Sequence, residues 1–142
     1  MLRSGCRFCS LFGQSTKSRR PLLHVDDWVV AVNAKDPRAR IHDLVISREH
    51  ISQREVWRLP SDRPELLEHM VSAGRELLKD YGEVGQGRLV FHVPPFNSVD
   101  HLHLHVLAGP FNNWYRAIAH RPGMPWAVCA ERLLEHAVKS SR

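Results

Sequence analysis

Residues 99–107 read Val-Asp-His-Leu-His-Leu-His-Val-Leu, so that His101, His103 and His105 alternate with Leu102, Leu104 and Val106. Strict alternation marks a half-buried strand. Side chains two residues apart share a face, and their Cβ atoms stand about 7 Å apart. The spacing puts three imidazoles on one face and anchors the strand to a core through the aliphatic residues on the other. Rings at that separation can bracket one ligand group, such as a phosphate or a metal ion. They also disfavour one another's protonation, so at least one is neutral near pH 7 and usable as nucleophile, base or ligand. Alternating histidines also build plain metal sites, so this segment alone leaves phosphate chemistry and metal binding both open.

Upstream, residues 88–93 read as a strand that ends at Pro94 and Pro95, and residues 27–34 and 44–46 read as two more. Residues 61–81 carry helical spacing. Leu66, Leu67, Met70, Val71, Ala73, Leu77 and Leu78 form one face, Glu68, Arg75 and Lys79 the other, and Ser61 or Asp62 can cap the start ahead of Pro64. Downstream, residues 111–125 read as a loop with Pro122, Gly123 and Pro125, and residues 126–139 as a second helix. Strands adjacent in sequence with one long helix between them give an α+β class: an antiparallel sheet with a central helix and a C-terminal helix.

The chain has 142 residues, 43% apolar and 25% charged, which suits one globular domain over residues 1–142. No run approaches the roughly 18–20 apolar residues of a membrane helix, and three cysteines are too few for a disulfide scaffold. No membrane partner is expected. The net charge of +5 arises wholly within residues 1–20, which hold Arg3, Arg7, Lys17, Arg19 and Arg20 and no acid. The pI of about 9.6 therefore does not describe a basic body, and nucleic acid is not the favoured partner. The absence of acids in that segment also fits a transit peptide, but a cytoplasmic or nuclear location is expected ahead of a mitochondrial one.

The heptad His101 to Leu107 fits the signature of the histidine triad family, His-φ-His-φ-His-φ-φ with φ apolar. The segment FHVPPFNSVDHLHLHVLAGP, the earlier IHDLVISREHIS and the tail PWAVCAERLLEH resemble the histidine triad nucleotide-binding protein 3 branch and, more distantly, aprataxin. The resemblance implies a roughly five-stranded antiparallel sheet and a homodimer paired through the central helix and a sheet edge. It implies a hydrolase that attacks the α-phosphate of a nucleotide and releases AMP. His103 matches the nucleophile, which would form a nucleotidyl-histidine intermediate. His105 matches the residue at the phosphate and bridging atom, Ser98 the hydroxyl that helps the leaving group, and His101 the first triad position. His42 and His92 fall where relatives place histidines near the phosphate.

The substrate expected from this resemblance is a nucleoside phosphoramidate or another nucleotidylated conjugate such as adenylated lysine. Dinucleoside polyphosphates come second and adenylated nucleic-acid ends third. A nucleotide-binding module with little turnover is the reading from another class. Transition-state charge would rest on imidazoles, Ser98 and backbone amides, since no phosphate-binding glycine loop is present, so no magnesium requirement is expected.

Cys6 and Cys9 form a C-x-x-C that by itself fits a redox pair, two inert thiols or half a zinc site. The resemblance adds His50 and His101, which would complete a structural zinc site that ties the N-terminal segment to the triad strand. Cys129 reads as a small apolar residue of the C-terminal helix. Val25, Trp28, Val30 and Ile46 are expected to wall the nucleoside base. Relatives carry a ribose-binding acid eight positions before the residue that matches His42. Ala34 stands there, leaving Asn33 or Asp36 to serve. Trp114, Tyr115 and Trp126 are read as packing residues.

Overall fold

A computed structural model describes residues 5–9, 21–83, 85–93 and 99–140. One antiparallel sheet of six strands runs through it: β1 (Leu22–Val25), β2 (Val29–Asn33), β3 (Ala39–Ser47), β4 (Arg88–His92), β5 (His103–Phe111) and β6 (Ala127–Cys129), in the order β1-β2-β3-β5-β4-β6. The α+β expectation holds, with one strand more than the rough five. A 3-10 segment, Gln53–Arg58, leads into α1 (Leu59–Asp62) and the long α2 (Pro64–Asp80); α3 (Trp114–Ala119) and α4 (Ala130–Ser140) follow β5 and β6.

The α2 helix lays Leu66, Leu67, Met70, Val71, Leu77 and Leu78 on the sheet face formed by Leu102, Leu104, Val106, Val45 and Leu89. Burying each such side chain contributes about 1.5–3 kcal/mol. The core therefore lies on the aliphatic face of the triad segment, as alternation requires. Residues 61–62 belong to α1 rather than to a cap of α2. Arg63, at φ −138° and ψ 55°, breaks the helix there, because the residue before a proline is forced out of the α region. The opposite sheet face carries a smaller apolar cluster of Phe8, Val30, Val32, Leu44 and Ile46.

Three elements depart from the expected pattern. β1 is a fully exposed edge strand, without the alternation that would reveal it. Residues 114–119 are helical where a loop was expected. The C-terminal helix starts at Ala130, not at residue 126, because Ala127–Cys129 pairs with β4 through Val90↔Cys129, Phe91↔Val128 and His92↔Ala127. That pairing buries Val128 and satisfies a sheet edge that would otherwise invite another strand. No helix among the described residues is long and apolar enough to cross a membrane.

Candidate active site

The ladder of β5 begins at His103, two residues later than the first triad histidine. Leu102 instead bonds outside it, its N–H to the Ile51 carbonyl at 2.7 Å and its carbonyl to the Ser47 N–H at 3.2 Å. The His103 ring donates through Nδ1 to the carbonyl of His101 at 2.6 Å. Its Nε2 is thereby left as a bare lone pair, the form a nucleophile needs. Burial pushes this imidazole down to about 4, the His101 carbonyl acting in the other direction, so the ring is neutral at pH 7.

A second chain of hydrogen bonds fixes the neighbouring ring. The Arg38 N–H donates to Nδ1 of His42 at 3.0 Å, so His42 carries its proton on Nε2 and donates it to Nδ1 of His105 at 2.8 Å. His105 must then hold its own proton on Nε2. His103 and His105 touch at 5.1 Å between ring centroids. A ring with a bare Nε2 and a ring with a protonated Nε2 are thus neighbours. Burial holds His105 well below its ordinary value, and pushes His42 down to about 3 with help from His120 and Arg38.

His92, at the end of β4, lies 4.6 Å from the His105 ring. Burial, then His120, pushes it down to about 3, the Ala119 backbone acting against them. Two further residues escaped the sequence reading. His120, just after α3, is 2% exposed; its ring lies tilted 4.4 Å from His92 and edge-on 5.4 Å from His105. Gln53 is fully buried; its amide donates to the carbonyls of His92 at 2.7 Å and His103 at 3.3 Å, and accepts from the His103 N–H at 3.1 Å. It bridges β4 and β5 where their own ladder has ended at Val90↔His105. Neither residue sits in a local pattern. Ser98, the expected hydroxyl at the leaving group, lies outside the described residues.

The expected nucleoside pocket is divided. Val30 and Ile46 belong to the apolar cluster on the histidine face, where Phe8 stands edge-on to His103 at 5.0 Å. Val25 is half exposed on the edge strand β1. Trp28 stacks on His69 of α2 at 5.5 Å, beside an Asp26 carboxylate that accepts from both His24 and His69 at 2.6 Å. Asn33 donates to buried Asp43 at 2.8 Å. Trp28 and Asn33 thus turn to the α2 side of the sheet, whereas Val25 pairs with Val30 and lies on the histidine face. Phe8, Val32 and Leu44 also stand on that face, and of these only Phe8 precedes the sheet.

Cys6, Cys9, His50 and His101 converge. Nδ1 of His101 is 3.4 Å from Cys6 Sγ, 3.5 Å from Cys9 Sγ and 3.2 Å from His50 Nδ1, and His50 Nδ1 is 3.3 Å from Cys9 Sγ. Tetrahedral zinc with bonds of about 2.05 Å to nitrogen and 2.3 Å to sulfur sets its ligands about 3.3 Å (N to N) and 3.6 Å (N to S) apart. The donor set fits. The other nitrogen of His101 donates to the Ser47 carbonyl at 2.6 Å, which turns the bare Nδ1 toward the cysteines. His101 therefore serves two neighbours, its ring facing the cysteines and its carbonyl orienting His103.

Residues 5–120 match the family described as scavenger mRNA decapping enzyme C-term binding. The chain belongs to the histidine triad family. Among curated relatives, the bifunctional adenosine 5'-phosphosulfate phosphorylase/adenylylsulfatase HINT4 of Arabidopsis thaliana is 38% identical over 94% of this chain and 92% of its own. The adenosine 5'-monophosphoramidase HINT3 of Mus musculus is 35% identical over 93% of this chain and 81% of its own. A histidine triad protein from Clostridium difficile shares the fold of this family member, with TM-score 0.66 and 27% identity over 80% of this chain and 99% of that one.

Proposed function

We propose that this histidine triad protein is a hydrolase of nucleoside phosphoramidates and related nucleotidylated conjugates, with AMP as product. The observation that carries the reading is the pair of backbone-fixed tautomers: Nε2 of His103 is bare, and Nε2 of its neighbour His105 holds a proton. His103 Nε2 attacks phosphorus, the bond from phosphorus to nitrogen breaks, and the leaving nitrogen takes its electron pair and the His105 Nε2 proton. The His101 carbonyl stabilises the resulting imidazolium at Nδ1. Water then attacks phosphorus and returns a proton to His105, while the electron pair of the broken bond returns to His103. Splitting one displacement into two is the benefit of covalent catalysis. Neutral histidines and backbone groups supply the polarisation. The curated relatives named above support this chemistry, and the sulfatase among them favours an oxyanion leaving group as the second reading.

In the same reading, Cys6, Cys9, His50 and His101 hold a structural zinc ion whose chemistry is to cross-link the N-terminal segment to the triad. The protein assembles as a homodimer. Because β6 already occupies the β4 edge, we place the contact on α2 or on the exposed β1 edge.

The test is AMP release from an adenosine phosphoramidate, adenosine phosphosulfate, a diadenosine polyphosphate and an adenylated DNA end, with His103→Ala as control. Fast release from the phosphoramidate, lost in the variant, is the expected result. Preference for another substrate replaces the leaving group. AMP binding without turnover of any substrate replaces the enzyme with a binding module.

A further inference from the structure

Beside the triad stands a second imidazole pair, His92 at the end of β4 and His120 directly after α3. Their rings lie 4.4 Å apart, and each touches the ring of His105. One nitrogen each of His42, His105 and His120 falls within 4.8 Å of the others. His120 is not part of the triad signature. It arrives on a segment tied down at several points: Trp126 Nε1 donates to the Ala119 carbonyl at 2.9 Å, Arg88 to the Ala117 carbonyl at 2.9 Å, and the Asn112 N–H to the Arg38 carbonyl at 3.0 Å. The ring is therefore built into the site.

The protons of this pair point away from the site. His120 donates through Nδ1 to the Arg116 carbonyl at 3.0 Å, which leaves Nε2 as a lone pair. The His92 ring bonds to the Ala119 backbone, while its Nε2 is buried with no hydrogen-bond partner among the described residues. Two hydrogen-bond acceptors thus belong to rings that adjoin His105. A buried acceptor without a donor is unfavourable. An anionic oxygen, which can only accept, cannot relieve it. An amine can, because its nitrogen carries hydrogens.

We propose that His92 and His120 form a subsite for the leaving group, in which their Nε2 atoms accept the N–H bonds of the nitrogen attached to phosphorus. This deepens the phosphoramidase reading and rests on it. In the first step the P–N bond breaks, its electron pair stays on nitrogen, and the His105 proton makes that nitrogen an amine with two N–H bonds. The new N–H points back at His105, so the N–H that the substrate already carried is the one that meets the acceptors of His92 and His120. His92 and His120 transfer no proton themselves. A sulfate or phosphate leaving group offers them nothing and is selected against.

The experiment compares two adenosine phosphoramidates that are isomers in the amine: N-butyl, with one N–H, and N-methyl-N-propyl, with none. The wild-type protein should prefer the first by at least about tenfold in kcat/KM, since a site built around a hydrogen bond rejects the analogue that lacks it. His120→Leu should bring the ratio to within about twofold, through loss on the N-butyl substrate, while AMP still binds. His120→Gln, whose amide oxygen takes the place of Nε2, should restore the preference, an outcome a merely structural role would not give. Should His120→Leu fail to fold, His92→Leu reads the same ratio. Equal rates on the two isomers in the wild type, or an unchanged preference in the leucine variant, overturn the subsite while leaving the phosphoramidase reading intact. A wild type inactive on both isomers overturns that reading and the subsite with it.

Discussion

The His103 ring gives its Nδ1 proton to the carbonyl of His101, two residues back in the same chain, at 2.6 Å. A short loop-like step before β5 makes this bond, because in a continuous ladder that carbonyl would face a neighbouring strand. One backbone oxygen thus selects the tautomer and stabilises the cation formed when phosphorus is bound. His103→Ala removes a group that acts only in the transition state. Turnover should fall by at least about a thousandfold, while AMP affinity stays within about tenfold. Steady-state kinetics and calorimetric titration of AMP check both halves, and retained turnover would refute the mechanism.

His42 acts through its neighbour. It relays the Arg38 N–H to Nδ1 of His105 and so keeps the His105 proton on Nε2. His42→Leu frees His105 to adopt the other tautomer, and kcat should fall about a hundredfold or more, as expected when a catalytic imidazole loses its orienting partner. His42→Gln retains an N–H near the Nε2 position and should recover most of that loss. Equal losses in the two variants would show that the relay does not matter.

How far the sequence revealed this site depended on whether a signal was local. Alternation over residues 101–107 placed the imidazoles opposite the core correctly, and the leucines pack against α2 as it required. The strand start did not follow, because Leu102 finds backbone partners in Ser47 and Ile51 far away in the chain. His120 and Gln53 were invisible for the same reason. Each is one polar residue whose partners come from other elements, and no period marks it. β6 was read as helix because Ala127–Cys129 adjoins a strongly amphipathic helix, and only the open β4 edge explains the extended backbone. Trp28 and Asn33 were drawn to the site by their neighbourhood in sequence, yet pair with His69 and Asp43.

Acid should unfold the protein through its own active site. Burial pushes His42 and His92 each down to about 3 from an ordinary 6.5. Between those values the unfolded chain binds protons that the folded chain refuses, so stability falls as pH drops below 6.5 and is fully present above it. At pH 5 the two groups together cost roughly 4 kcal/mol relative to pH 8. Urea midpoints at pH 8, 6 and 5 measure this. His103 and His105, shifted in the same direction, add to this, so His92→Asn should remove roughly 2 kcal/mol of the pH dependence, and a midpoint unchanged from pH 8 to 5 would refute the account.

Gly74 is a tight point in the layer that carries the triad. A Cβ there would lie 2.8 Å from Leu89 Cδ2 and 3.3 Å from Val106 Cγ2, so α2 approaches β4 and β5 only without a side chain. Alanine normally favours a helix over glycine by about 1 kcal/mol. Overpacking costs about 1–3 kcal/mol and outweighs it. Gly74→Ala should therefore destabilise the fold by about 1 kcal/mol, and a raised Tm would show that Leu89 yields instead.

The cysteine and histidine cluster offers a test independent of turnover. If zinc occupies Cys6, Cys9, His50 and His101, elemental analysis of freshly purified protein should find about one zinc per chain. Binding energy at such a site is folding energy. Chelation or Cys9→Ser should thus lower Tm, by about 10 °C for a loss of 3–4 kcal/mol in a domain of this size. His103→Ala leaves all four ligands in place and should keep its zinc, so metal content and turnover separate the two sites. Loss of zinc in that variant, or its absence from the wild type, would refute the assignment. Because the His101 carbonyl orients His103, the stripped protein should also lose activity through a lower kcat, with AMP affinity nearly unchanged.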